Sequence, residues 1–200
     1  HPDPSVKRQS GLIQPAINNS NVLGTSFTLP YFKVISESKD LTLTPTWFDS
    51  DTLMSTVEYR QENKNSSLIT DFGFVNGYKS PTTRKKNSLS HFFLDYDLDL
   101  KLENYNLSNF EISINKVSND TYLNVFDQHI TKSTLRPSDS NKLTNSINIK
   151  LDHNNFNFEA GIKSYENLRI KIKVIDINMF YHITILTNIL LKITLMVTFL

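Results

Sequence analysis

Apolar and polar side chains alternate along much of this chain. Leu94-Asp95-Tyr96-Asp97-Leu98-Asp99-Leu100-Lys101-Leu102 does so without a break. In an extended strand successive side chains point to opposite faces, so this stretch has one apolar face and one charged face. Leu41, Leu43, Pro45 and Trp47 alternate with Thr42, Thr44 and Thr46 in the same way. So do Phe110, Ile112 and Ile114 with Glu111, Ser113 and Asn115, and Ile147, Ile149 and Leu151 with Asn148, Lys150 and Asp152. Phe156, Phe158, Ala160 and Ile162 alternate with Asn157, Glu159 and Gly161, and Val57 and Tyr59 flank Glu58. Turn-forming clusters separate these runs at Ser36–Asp40, Asp49–Asp51, Glu62–Ser67, Asn104–Asn109 and Asp152–Asn155. Two longer polar connections run from Asn76 to Ser90 and from about Ser118 to Lys142. The pattern predicts eight antiparallel strands, at 22–35, 40–48, 53–62, 67–76, 91–103, 109–117, 143–153 and 156–166. Several reach about 9–11 residues, the length with which a tilted strand crosses a bilayer. The mean strand of a globular protein is about 5–6 residues.

An alternating sheet has two readings. One is a soluble antiparallel sheet with a buried apolar face. The other is an outer-membrane barrel, apolar toward lipid and polar toward an aqueous lumen. Asp95, Asp97, Asp99 and Lys101 make a polar row that needs water, and no amphipathic helix is visible to cover the apolar face. Pro30 and Pro45 fall inside adjacent expected strands. Proline has no N–H for the ladder and belongs at edges or bulges. On the soluble reading the two prolines protect a sheet edge. On the barrel reading they mark a weak seam.

The period of two fades from about Lys171, and Met179 to Leu200 is almost wholly apolar. Its length fits a transmembrane helix of about 20 residues. A neighbouring frame in AT-rich codons instead reads as a tyrosine-rich strand, turn and strand, and the coding DNA through Lys173 would decide between them.

Lys+Arg total 21 against 20 Asp+Glu, a net charge of +1 that lacks the basic excess of a nucleic-acid binder. The 13 Phe and 8 Tyr exceed what a disordered chain carries. With no cysteine, the chain forms no disulfide and offers no thiol nucleophile. It begins at His1, without an initiator Met or signal peptide, as an internal piece of a longer protein would. No nucleophile elbow, P-loop, dinucleotide fingerprint or zinc-protease motif occurs, and His1, His91, His129, His153 and His182 lack ligand spacing. Asp95-x-Asp97-x-Asp99 lacks the glycine of a calcium loop. The expectation is a protein that is not an enzyme and holds no metal or cofactor.

The first 13 residues, His1-Pro2-Asp3-Pro4-Ser5-Val6-Lys7-Arg8-Gln9-Ser10-Gly11-Leu12-Ile13, change the balance. They resemble the opening of the barrel domain in the lipopolysaccharide-assembly outer-membrane protein family (LptD, organic solvent tolerance protein). Pro2, Asp3, Pro4, Lys7, Arg8, Ser10 and Gly11 carry the likeness. Leu29-Pro30-Tyr31-Phe32, Asp40-Leu41-Thr42-Leu43-Thr44-Pro45 and Glu58-Tyr59-Arg60 are similar to the family's first three barrel strands, in order and spacing. Leu12 departs, since the family usually has an aromatic after the glycine. The likeness covers about residues 1–62; from 63 to about 170 only the strand-and-turn style agrees, and the tail departs altogether.

The resemblance implies a fragment of a large outer-membrane β-barrel in a Gram-negative bacterium, an open all-β sheet of about eight up-and-down strands. Residues 1–20 would lead in from a periplasmic jelly-roll domain, 21–170 would be barrel, and 171–200 the atypical tail. The whole protein would insert lipopolysaccharide into the outer leaflet. Its partners would be lipopolysaccharide, a plug lipoprotein (LptE) in the lumen, a periplasmic bridge and outer-membrane lipid. In the family the prolines of the first two strands weaken pairing with the last strand and make a lateral gate; the matching positions are Pro30 and Pro45. Asp95, Asp97, Asp99 and Lys101 would face the lumen. Chain direction would put the turn at 36–40 outside and the Arg84–Lys86 loop on the periplasmic side. A passive porin or receptor barrel and a soluble sandwich or adhesin module stand as alternatives.

Overall fold

Strong alternation with few helix-forming stretches commits the backbone to ladders, and the computed structural model is mostly antiparallel strand. It describes residues 8–80, 86–130, 133–183 and 189–199. Pro2, Asp3, Pro4, Lys7, Arg84 and Lys85 lie outside the described residues. The strands are β1 (Gly11–Leu12), β2 (Ala16–Ser20), β3 (Gly24–Thr28), β4 (Tyr31–Ser36), β5 (Lys39–Phe48), β6 (Leu53–Glu62), β7 (Ser66–Lys79), β8 (Lys86–Asp99), β9 (Tyr105–Val117), β10 (Lys142–His153), β11 (Phe156–Asn167), β12 (Ile172–Ile183) and β13 (Ile189–Phe199). Neighbour order follows chain order from β4 to β13; β1 lies on β4, and β2 lies on β3, which also pairs β5.

The described residues make thirteen strands in one open sheet where the alternation predicts eight. The expected strand at 22–35 is two, because Leu29 and Pro30 leave the ladder between β3 and β4. The lead-in segment adds β1 and β2. The tail adds β12 and β13, paired from Lys173↔Phe199 to Ile183↔Ile189. No helix among the described residues is long and apolar enough to cross a membrane, so the helical expectation for 179–200 is corrected.

The chain divides into two compact units. One comprises His1–Glu62, Ile69–Phe92 and Val117–Thr134; the other comprises Asn63–Leu68, Phe93–Lys116 and Leu135–Leu200. In the first, large apolar side chains line the exposed face. Ile17, Phe27, Trp47 and Leu53 are consecutive cross-strand partners on β2, β3, β5 and β6, and they are 73%, 41%, 45% and 40% exposed. On the opposite face Ser26, Thr28, Asp40 and Thr46 are buried together with Phe48 and Met54. A continuous row of exposed large apolar side chains is larger than a soluble surface usually shows.

The buried face of the first unit carries a short cover. The connection after β9 forms α1 (Tyr122–Val125) and α2 (Asp127–Ile130). Tyr122, Leu123, Phe126 and Ile130 are buried, with Tyr78 meeting Phe126 edge-on at 5.5 Å. Sequence alternation alone makes this connection simply polar and long. The spacing of four from Tyr122 to Phe126 to Ile130 is the helical signal it hides.

In the second unit Ile112, Ile147, Ile162 and Ile177 are register partners on β9 to β12. Ile147 and Ile162 are each 48% exposed. Asp95, Asp97 and Asp99 project from the face of β8 opposite Leu94, Tyr96 and Leu98, with Asp95 and Asp97 exposed. Lys101 does not continue their row. Strand β8 ends at Asp99, and Lys101 has turned to a positive φ of 51°, its Nζ 2.5 Å from the Asp99 carboxylate.

These exposed isoleucines make a discriminating measurement possible. Ile162→Lys on a lipid-facing wall costs about 2–4 kcal/mol near mid-membrane. Asn157→Lys, on the polar face beside Asp152, costs almost nothing. The expected result, in urea unfolding of the full-length protein in bilayers, is a marked loss for Ile162→Lys alone. Equal stability of the two variants is the outcome expected of a soluble sheet.

Candidate functional site: a proline-interrupted seam

The seam lies where β3 and β4 meet β5. Phe27↔Trp47 and Thr28↔Thr46 pair on one side of the break, and Tyr31↔Leu43 and Phe32↔Thr42 on the other. The register is unbroken, so Leu29 and Pro45 stand opposite each other. The Leu29 amide donates to the Pro45 carbonyl at 3.1 Å. In an antiparallel hydrogen-bonded pair the two residues exchange both bonds. Pro45 has no amide hydrogen to return, so this pair holds by one bond. The absent donor is on the β3/β4 side of β5, while toward β6 Pro45 stands opposite Ser55.

Pro30 repeats the defect one pass earlier. The Ile13 amide donates to the Pro30 carbonyl at 2.8 Å, and again nothing can be returned. Pro30 therefore lies between strands rather than inside one, whereas Pro45 sits within β5. Pro15 lies in the break between β1 and β2, so three successive passes carry a proline at the same interruption. Across that break the pairing slips by one residue, from Leu12↔Tyr31 to Ala16↔Thr28. The even spacing of Pro15, Pro30 and Pro45 is a signal that reading strands one at a time misses.

On the inner side of the seam is a cleft of about 310 Å³. Pro30, Thr28, Thr44 and Thr46 form one wall, with Glu58 and Asp71 deeper, and Gln128, His129 and Ile130 of α2 form another. The Thr28 and Thr46 hydroxyls hydrogen bond to each other at 2.9 Å, bridging the strands just before the break.

Two charged groupings flank the cleft. Asp40, buried at the start of β5, accepts from Arg8 Nη2 and from Arg60 Nε, the latter at 2.8 Å. Arg60 also lies 3.5 Å from Glu58. Arg8, Asp40 and Arg60 come from three separate family-like motifs, and the fold brings them to one point. Ser10 and Gly11 join them on the same edge. The Ser10 hydroxyl accepts from the Val34 amide at 2.9 Å, and Gly11 pairs Phe32.

The second grouping anchors α1. His91 is buried, its Nδ1 2.8 Å from the Tyr122 hydroxyl and its Nε2 3.3 Å from Asp71. Its ring lies over Gly73, where an added Cβ would stand 2.2 Å from the imidazole. Only glycine permits this approach. Burial, with the Asp71 charge adding to it, raises the pKa of the Tyr122 hydroxyl and keeps it neutral. His129 meets Phe48 edge-on at 4.8 Å, and burial lowers its imidazole below the ordinary histidine value. No arrangement of nucleophile, base and orienting group emerges among the described residues. What the site offers is a ladder lacking two return bonds beside a cleft of mixed polar and apolar lining.

Two measurements test the cover. Tyr122→Phe removes the partner of buried His91 and is expected to weaken docking by about 1–2 kcal/mol. Hydrogen exchange of 122–130 in the full-length protein would then rise, and unchanged exchange would refute the anchor. The undocked His129 binds a proton at about pH 6.5, the docked one only lower. Between those values the undocked state holds more protons, so docking weakens as pH falls from about 6.5. Exchange of 127–130, corrected for intrinsic rate, should accelerate from about pH 7.5 to about 5.5 in the parent more than in His129→Gln.

The chain is 26% identical over 167 residues to the LPS-assembly protein LptD of Cupriavidus necator, a match taking in 81% of this chain. It spans 18% of that relative's length. No family model matches. The chain is thus similar, over most of its length, to a limited stretch of an LPS-assembly protein.

Proposed function

We propose that this chain is a piece of the wall of an outer-membrane barrel that inserts lipopolysaccharide into the outer leaflet, with the seam at Pro30 and Pro45 as its lateral gate. The observation that carries the reading is the pair of one-bond contacts at Leu29–Pro45 and Ile13–Pro30, set in a sheet whose exposed face is apolar. An amphipathic lipid leaving a barrel sideways needs adjacent strands to separate. Each ladder bond not made lowers the cost of separation by about 1 kcal/mol, more where no water can replace it. The similarity to the LPS-assembly protein supports lipopolysaccharide as the cargo. No chemical step is required. A plug lipoprotein in the lumen and a periplasmic bridge complete the proposed assembly.

Connection lengths set the orientation. Successive turns of a meander alternate between its two ends. Residues 37–38, 63–65 and 154–155 make short turns at one end, and the long connection 118–141 lies at the other. Barrels of this class keep short turns periplasmic and long loops outside. On this reading the turn at 37–38 is periplasmic, the reverse of what chain direction implies for a first strand at 22. The lead-in segment accounts for the difference, because β1 and β2 add one traverse before β3.

Pro30→Ala with Pro45→Ala in the full-length protein restores two donors to the seam. Surface lipopolysaccharide should fall and sensitivity to large antibiotics should rise, while barrel assembly, read by heat-modifiable mobility, stays intact. A passive porin would be indifferent to the change, and normal surface lipopolysaccharide in the double variant counts against the gate.

A further inference from the structure

Residues 8–13 lie along the edge of β4, and few ladder bonds hold them, whereas β2 pairs β3 along its whole length. Strand β1 is only two residues long, the run breaks at 13–15, and the register slips there. Two side chains make up the deficit. The Ser10 hydroxyl takes the Val34 amide, and Arg8 reaches Asp40 on β5 past the intervening β4, its guanidinium also 5.8 Å from the centre of the Phe32 ring. The Asp40 side chain is 4% exposed, against 49% for Arg8 and 41% for Arg60. The carboxylate is thus the enclosed, fixed member and the arginines are its fringe.

We propose that Asp40 is a positioning residue of the seam: through Arg8 it clasps residues 8–13 onto the edge of β4, and releasing that clasp frees one end of the interrupted ladder. The arrangement suits reversal. When Arg8 leaves, Asp40 keeps its 2.8 Å bond to Arg60 and is not stranded as an unpaired buried charge. Arg8, half exposed already, is taken up by water. The clasp acts at the end of the strands that carries the 37–38 turn, close to where the chain arrives from whatever precedes it. Tension or rotation in that preceding segment would therefore act on Arg8 before any other described contact of the seam. The consequence for export rests on the gate reading; the clasp itself does not.

The test uses the full-length protein in its membrane. Leu12 and Tyr31 are register partners beside the hydrogen-bonded Ile13–Pro30 pair, so they stand at a close, non-hydrogen-bonded position suited to a disulfide. The chain itself has no cysteine to compete. With Leu12→Cys and Tyr31→Cys installed, Asp40→Asn should slow oxidative cross-linking about 1.5-fold to fivefold, the range for a partly solvated ion pair. Arg8→Gln, which alters a half-exposed side chain and leaves Asp40 paired, should do the same and decides the matter if Asp40→Asn does not assemble. Higher salt should slow cross-linking in the parent and not in either variant. Cross-linking as fast in Arg8→Gln as in the parent overturns the clasp. Slower cross-linking with normal surface lipopolysaccharide upholds the clasp and counts instead against the gate.

Discussion

Proline has no amide hydrogen, and three successive passes of this chain meet at residues that lack one. Pro15 and Pro30 lie in breaks between strands, and Pro45 stands beside the second break within a continuous β5. A single proline at an edge leaves a ladder nearly whole. Aligned prolines remove donors from neighbouring pairings at the same height, so the defects add into a line across the wall. The rest of the unit compensates with side chains. The Thr28–Thr46 hydroxyl bridge, the Ser10–Val34 bond and the Asp40 ion cluster all cross or border the strands that the backbone leaves underbonded.

The exposed rows add a second constraint. Trp47 and Phe27 stack at 6.0 Å on the outside of the sheet, while Ser26, Thr28 and Thr46 are buried behind them. Phe48 and Met54 are buried among them. The buried threonines and Asp40 are satisfied by hydrogen bonds, Thr28 with Thr46 and Asp40 accepting from Arg8 and Arg60. The folded-back connection packs on this side. Tyr122 approaches the sheet as a hydrogen-bonding group to His91, not as grease alone.

Most of the sheet is legible in the sequence because alternation is a local property. Ile147 and its partners Ile112 and Ile162 each fall on the apolar face of their strand by counting in twos. The strand division at Pro30 is less legible, because a proline announces a missing donor but not which neighbour loses it. The tail is ambiguous because Ile189-Leu190-Leu191 and Leu195-Met196-Val197 are apolar in both alternating sets, which blurs the alternation of Lys192, Thr194 and Thr198 with their apolar neighbours. The clasp is invisible as a unit: Arg8, Asp40 and Arg60 lie far apart in sequence, and only pairing register brings Asp40 opposite Arg60. The helical cover is present as three spaced residues inside a stretch otherwise rich in Ser, Asn and Asp.

The threonines of the cleft wall have a further bearing on reversibility. A valine row would leave nothing but bare backbone when two strands part. Thr28 and Thr46 hold hydroxyls that can trade each other for solvent on the hollow side without losing a bond. Were the strands to part as proposed, one satisfied arrangement would replace another and no polar atom would be stranded.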